Sequence, residues 1–362
     1  MSTEAVLATV PPPPPSGPPR VLATGGALLL AAMLAGLLLG PSAVSPAGLL
    51  ATVLDALGLA PLPAEHARDA AVLGVVRAPR VLLAALIGGG LACSGAVMQG
   101  LFRNPLADPG LIGVSSGAAL AAVAAIVLGP SLFGRAAGAL GLWLLPVAAF
   151  LGGLLATVLV ARLGTREGVV GVATLLLAGV AVAALCSALL GLLIFGADDR
   201  QVREVHFWLF GSLAGARWPQ VPVMGALVLA PCLALLALAR ALDALALGER
   251  EAFHLGVPVE AAKRLAIALA AVAASGGVAF SGLIGFVGLV VPHLVRLGFG
   301  SGHRVVLPGS ALLGAALLVL ADLAARSIAA PAELPVGVVT ALLGAPFFLW
   351  LLRRRGVAGD EA

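Results

Sequence analysis

Runs of about twenty apolar residues, interrupted by glycine and by short basic clusters, recur along almost the whole chain. A helix needs about 20 such residues to cross the roughly 30 Å of bilayer hydrocarbon. Read this way, ten spans are expected, at residues 21–40, 78–99, 110–129, 138–161, 169–195, 220–239, 264–281, 282–298, 305–325 and 335–352. The seventh and eighth form one run from Leu265 to Leu297, too long for a single helix, and are divided at Ser275-Gly276-Gly277 and Gly282. Only 10% of the 362 residues are charged and 61% are hydrophobic. A soluble domain carries about 25% charged residues, so there are too few polar atoms to coat a water-facing surface. The expected fold is all-α and integral to a membrane.

The flanks and loops set the orientation. Pro11 to Pro15 and Pro18-Pro19 mark residues 1–20 as a disordered, polyproline-like tail. Val21 to Leu39 is longer than the ~7–15 residues of a signal core and follows an acidic, proline-rich leader, so it reads as a retained first span. Residues 353–362 form a C-terminal tail after a 21–352 transmembrane domain. With both termini cytoplasmic, 13 of the 21 basic side chains lie inside, and Arg68, Arg77, Arg80, Arg135, Arg200, Arg203, Arg217 and Arg326 lie outside. That bias favours a multi-pass protein with both ends inside. The net charge of +4 comes from these clusters and is no nucleic-acid footprint. Outside loops are expected at 41–76, with a short surface helix, and at 197–219. The largest inside loop, 241–263, holds two short helical pieces parted by Gly256-Val257-Pro258, since glycine ends a helix and proline starts one.

Several chemistries are missing. A P-loop needs a GxxxxGK[ST] lysine, and the sole lysine, Lys263, lies between Ala-Ala and Arg264. No HExxH and no nucleophile–base–metal constellation appears, so neither catalytic residues nor a metal site are assigned. Acidic residues keep to loops and helix ends, Asp322 being the main exception, which weighs against an ion-coupled secondary transporter. A membrane scaffold without transport is the third class. Cys93, Cys186 and Cys232 sit in apolar segments and read as small buried hydrophobes. Most of the 47 glycines read as helix-packing positions.

Three motifs carry a resemblance. Arg77-Ala-Pro-Arg80 runs on through Gly95, Gln99, Asn104-Pro105 and Asp108-Pro109 to Gly113. Phe280-Ser-Gly282 continues through Gly285 and Gly288 to Pro292-His293 and Arg296. Glu333-Leu-Pro335-Val-Gly337 leads to Gly344-Ala-Pro346. Together, over about residues 70–352, the chain resembles the FecCD-type ABC permeases, membrane subunits that import iron-siderophores, haem and vitamin B12. The resemblance implies a type II ABC importer architecture of ten helices per subunit. It also implies a homodimer with the path on its two-fold axis, two cytoplasmic ATPase subunits and a periplasmic binding protein. No cofactor is expected to reside on the chain; haem or another metal chelate is cargo, and ATP and Mg belong to the partner subunits.

The resemblance also implies site residues. Arg77, Arg80 and Arg326 match arginines that face glutamates of the binding protein, a task suited to the always-charged, bidentate guanidinium. The alternative is that they anchor helix ends at the interface. Leu247, Gly248, Glu249, Ala252, Leu255 and Gly256 match the coupling helices that seat in the ATPases. The fifth and last spans line the path, offering Thr174, Ala178, Ser187, Thr340 and Ala341. The gate region reads Val172-Ala173-Thr174 where some relatives carry hydroxyl residues. Asn104-Pro105 and His293 read as structural. His206 beside Phe207-Trp208 is a lone loop histidine with a haem-ligand alternative. The segment Val202 to Trp218 and the run Leu247 to Val257 are similar to haem permeases, with ferric siderophore and cobalamin as the other cargoes.

Overall fold

The computed structural model describes residues 18–134 and 141–359. Most of the proline-rich tail, Arg135 and the first residues of the fourth expected span lie outside them. The long helices follow the apolar runs: α1 (Pro18–Leu38), α4 (Ala78–Leu101), α5 (Val114–Phe133), α6 (Leu144–Leu163), α7 (Val172–Phe195), α9 (Gln220–Ala237), α12 (Val259–Ser281), α13 (Val287–Phe299), α14 (His303–Ile328) and α15 (Val336–Gly359). Among the described residues eight stretches are long and apolar enough to span, while α13 and the apolar part of α15 are shorter. Short helices α2 (Pro46–Ala56), α3 (Ala67–Ala71), α8 (Asp199–Leu209), α10 (Ala239–Leu247) and α11 (Glu249–His254) occupy the loops. A two-residue-per-strand hairpin, β1 (Thr165–Arg166) and β2 (Val169–Val170), joins α6 to α7.

The central helix is α4, buried along nearly all its length and enclosed by α9, α12, α13 and α14. Helices in lipid gain no hydrophobic drive toward one another, so close backbone approach through small residues supplies the packing. Gly88 meets the Gly314 carbonyl of α14, and Gly95 meets the Gly288 carbonyl of α13. A Cβ at either glycine would overlap that backbone.

The long run divides at Gly282 as expected, but Ser275-Gly276-Gly277 lies inside the unbroken α12, and residues 282–286 between α12 and α13 are not helical. Gly282 and Phe286 both have positive φ, +71° and +68°. Irregular backbone survives at membrane depth only when buried in protein. Here the end of α8 packs against Gly282 through the Trp208 carbonyl, and the Ser281 carbonyl accepts from the Ser212 N–H at 2.7 Å. Gly337 and Gly344 of α15 close over the break, against Leu283 and the Phe286 ring.

Candidate functional site

Polar side chains gather at the two ends of α4, whose 24 residues at 1.5 Å each separate them by roughly 36 Å. At the first end a π-helical turn, Val72–Arg77, runs directly into α4, whose second residue is Pro79. Arg77, Arg80 and Arg326 come together there, but inside the protein: they are 2%, 5% and 5% exposed. In the single chain none of the three is therefore an exposed end charge. Arg80 spans two carboxylates, its Nε 3.0 Å from both Asp322 oxygens and its Nη1 3.0 Å from both Glu333 oxygens. Arg77 donates to the Leu37 carbonyl at 2.5 Å and to that of Ser42. Arg326 donates to the Gly36 carbonyl and lies 3.7 Å from Asp322.

The physical reason is the C-terminus of α1. Its last carbonyls have no intrahelical partner and carry partial negative charge, so buried guanidinium groups satisfy them. Three acids answer the three arginines at this end: Asp322 and Glu333 on Arg80, and Asp69 near Arg77. Glu333, its side chain 39% exposed, is the acid at the open edge.

The opposite end holds the loop 241–263. Gly248 adopts φ +154° between α10 and α11, and Gly256 φ +78° before α12, so neither position favours a side chain. Leu247 and Leu255 are 71% and 66% exposed, whereas Ala252 is fully buried beneath them. Both leucines line one hollow at this end of α4, together with Arg103, Arg240 and Arg296. Glu249 turns inward to Lys263 at 3.1 Å.

Lys263 is the residue that sequence reasoning missed as a site. It is 1% exposed, pairs with Glu260 at 2.7 Å and donates to the Val170 carbonyl at 2.8 Å. The Val170 N–H in turn donates to Glu260 at 2.8 Å. One ammonium thus ties the loop to the hairpin that opens α7. Its being the only lysine among 21 basic side chains was the available signal. Asp243 was also missed: it accepts from the His303 backbone N–H at 2.7 Å and sits 2.6 Å from its Nδ1, fixing α10 to the start of α14. Burial pushes the Asp243 carboxyl up, but the His303 hydrogen bonds outweigh it and hold the group below its usual value.

On α7, Leu175, Ala178, Val182 and Cys186 form the packed face, while Leu177, Val180 and Leu185 face outward at 73%, 66% and 56% exposed. Ala178 therefore lies inside the chain's own packing rather than on an open wall. Thr340 is likewise 3% exposed and donates to the Gly337 carbonyl at 3.1 Å. Helical phase explains both: each shares a face with the small residues that the neighbouring helix packs against. Val172 and Thr174 are half-buried, Ala341 is half-buried, and Ala173 and Ser187 are exposed. His206 is exposed on α8, 6.4 Å centroid to centroid from Phe210, and His293 is buried 6.3 Å from the Phe347 ring. Among the described residues no group of three or more potential metal ligands occurs.

Comparison with known proteins accords with this layout. Residues 28–354 match the model of the FecCD transport family. The hemin transport system permease protein HmuU of Yersinia pestis is 50% identical over 280 residues, covering 77% of this chain and 82% of that protein. The cobalamin import system permease protein BtuC of Halobacterium salinarum is 49% identical over 286 residues, covering 79% and 74%. A chain of a metal-chelate type ABC transporter, solved in an inward-facing conformation, superposes with a TM-score of 0.80 at 34% identity. That match covers 93% of this chain and 99% of the other.

Proposed function

The chain belongs to the FecCD transport family and is a permease of the ABC importer type, and from that premise we propose that its cargo is haem. The observation that carries this reading is the 50% identity with a hemin permease over 280 residues. Cobalamin is the second reading, supported by 49% identity with a cobalamin permease. Both cargoes are large metal-bearing macrocycles. The broad apolar face of α7, with Leu177 and Val180 unpaired in the single chain, suits such a body. It can slide past without directional bonds that would have to break at every turnover. In this reading a second copy covers the remainder of that face.

Energy enters from separate ATPase subunits carrying ATP and Mg, seated on Leu247 and Leu255. Lys263 passes their movement to the hairpin and the Val172-Ala173-Thr174 gate. The loop end is cytoplasmic, with both chain termini on that side. The test is reconstitution with the cognate ATPase and binding protein in liposomes. ATP-dependent uptake of haem, exceeding that of cobalamin and of a ferric siderophore, is expected. Uptake of cobalamin but not haem would exchange the two readings. Uptake driven by an ion gradient without ATPase would return the secondary-carrier reading.

The periplasmic binding protein docks at the arginine end, its carboxylates replacing Glu333 on Arg80. Removing the competing acid exposes the cation without breaking the Arg80–Asp322 pair. Glu333→Gln is therefore expected to speed association about two- to fivefold, the scale of one exposed ion pair, and to make the rate more salt-sensitive. Association kinetics at two salt concentrations measure it; an unchanged rate would remove Arg80 from the docking surface.

A further inference from the structure

Between α6 and α12 runs a groove of about 590 Å³, within the ~300–1,000 Å³ that small-molecule sites occupy. One wall is a single face of α6, carrying Leu154, Thr157, Val158 and Ala161, with Arg162 at its end. The other is a single face of α12, carrying Ile267, Ala268, Ala271 and Val272, with Arg264 at its end. The small side chains of Ala268 and Ala271 leave the hollow, and Val158, 48% exposed, opens it to the surroundings of the bundle.

Its chemistry is divided along its length. The two hydroxyls in it are already committed: Thr157 donates to the Gly153 carbonyl at 3.0 Å and Thr165 to the Ala161 carbonyl at 2.7 Å. The wall therefore offers no free hydroxyl donor and is mostly hydrocarbon. Both cations stand at one end, beside Lys263 and the hairpin, which is the end of the 241–263 loop. Arg264 donates to the Gly168 carbonyl with one of its nitrogens, and its remaining N–H groups are open to other partners. From Arg162 to Leu154, and from Arg264 to Val272, the apolar wall runs eight residues, about 12 Å of helix. That is close to the depth of one leaflet, half of the roughly 30 Å hydrocarbon layer.

We propose that this groove is a binding site for an anionic phospholipid. One acyl chain lies along Ala268 and Ala271, and Arg162 and Arg264 hold the phosphate of its headgroup. Basic pockets between spanning helices at one membrane face select acidic headgroups in this manner. The floor of the site is the hairpin whose Val170 carbonyl accepts from Lys263 and which leads directly into α7. A lipid seated there braces α6, α12 and the hairpin as one unit.

The test uses the full chain purified in detergent, equilibrated with phosphatidylglycerol or phosphatidylcholine, and native mass spectrometry of the retained lipid. Phosphatidylglycerol is expected to be retained at least tenfold better, since each arginine at a membrane surface contributes about fivefold. Arg162→Gln should remove much of that preference and Arg162→Lys should keep it. Neither change touches the Arg264–hairpin contact. Ala268→Trp, filling the hollow, should lower retention of both lipids. Equal retention of the two headgroups by the parent protein and by Arg162→Gln would overturn the proposal. So would efficient cross-linking of Ala268→Cys to a second copy, which would make the groove an interface between chains.

Discussion

Replacing Arg80 with alanine should destabilise the protein by about 3–5 kcal/mol, the range for breaking a buried ion pair from one side. The variant leaves Asp322, whose side chain is 2% exposed, without the guanidinium that now contacts both its oxygens. Arg326 donates to the Gly36 carbonyl through Nη2 and keeps its Nε 3.7 Å from Asp322, so it offsets only part of the loss. Glu333 also loses its partner, but at 39% exposure it can recover water. Removing both charges in Arg80→Ala/Asp322→Ala should therefore recover part of the loss, since no lone buried carboxylate remains. A double-mutant cycle read by thermal unfolding in detergent gives the coupling. A loss below about 1 kcal/mol, the worth of an exposed pair, would mean that water reaches the cluster.

Lys263→Met should leave the helices folded and cut transport per ATP hydrolysed roughly tenfold. Methionine fills much of the buried volume. Glu249 and Glu260, 38% and 30% exposed, can rehydrate once the ammonium is gone. What disappears is the joint between the loop and the hairpin: charge-assisted hydrogen bonds of this kind contribute about 1.5–3 kcal/mol each. A loop no longer fastened to Val170 moves without moving α7. The measurement is the ratio of cargo imported to ATP consumed in liposomes containing the full transporter. If that ratio is unchanged, coupling runs through another contact, the Asp243–His303 joint to α14 being the next in line.

The helices were legible because their signal is local. Twenty apolar residues in a row announce a span whatever they touch, so helix positions read from the sequence fall within a few residues of α4, α7 and α9. The division of the run from Leu265 to Leu297 was readable at Gly282, where the backbone turns to positive φ that glycine accepts, but not at Gly276-Gly277, which α12 carries through without a break. The loop 241–263 was legible only in part: Gly256 and Pro258 do mark where α12 begins, but the two short helices α10 and α11 are parted by Gly248 rather than by Gly256-Val257-Pro258.

Partner choice was not legible, because it depends on residues far apart in the chain. Arg80 meets Asp322 across 242 positions and Lys263 meets Val170 across 93. Topology alone put Arg77, Arg80 and Arg326 at one end of the molecule, and there they are. It could not tell that the carbonyls ending α1 would draw two of them inward. Nor could it set the rotation of α7, since a helix apolar on every side carries no periodicity to mark its buried face. The sequence by itself determined a membrane-spanning helical permease, its break points and its loop chemistry, all consequences of short-range solvation and backbone preference. The tertiary structure alone decided which charges neutralise one another and which apolar face stays open, because burial is a property of the whole packed bundle.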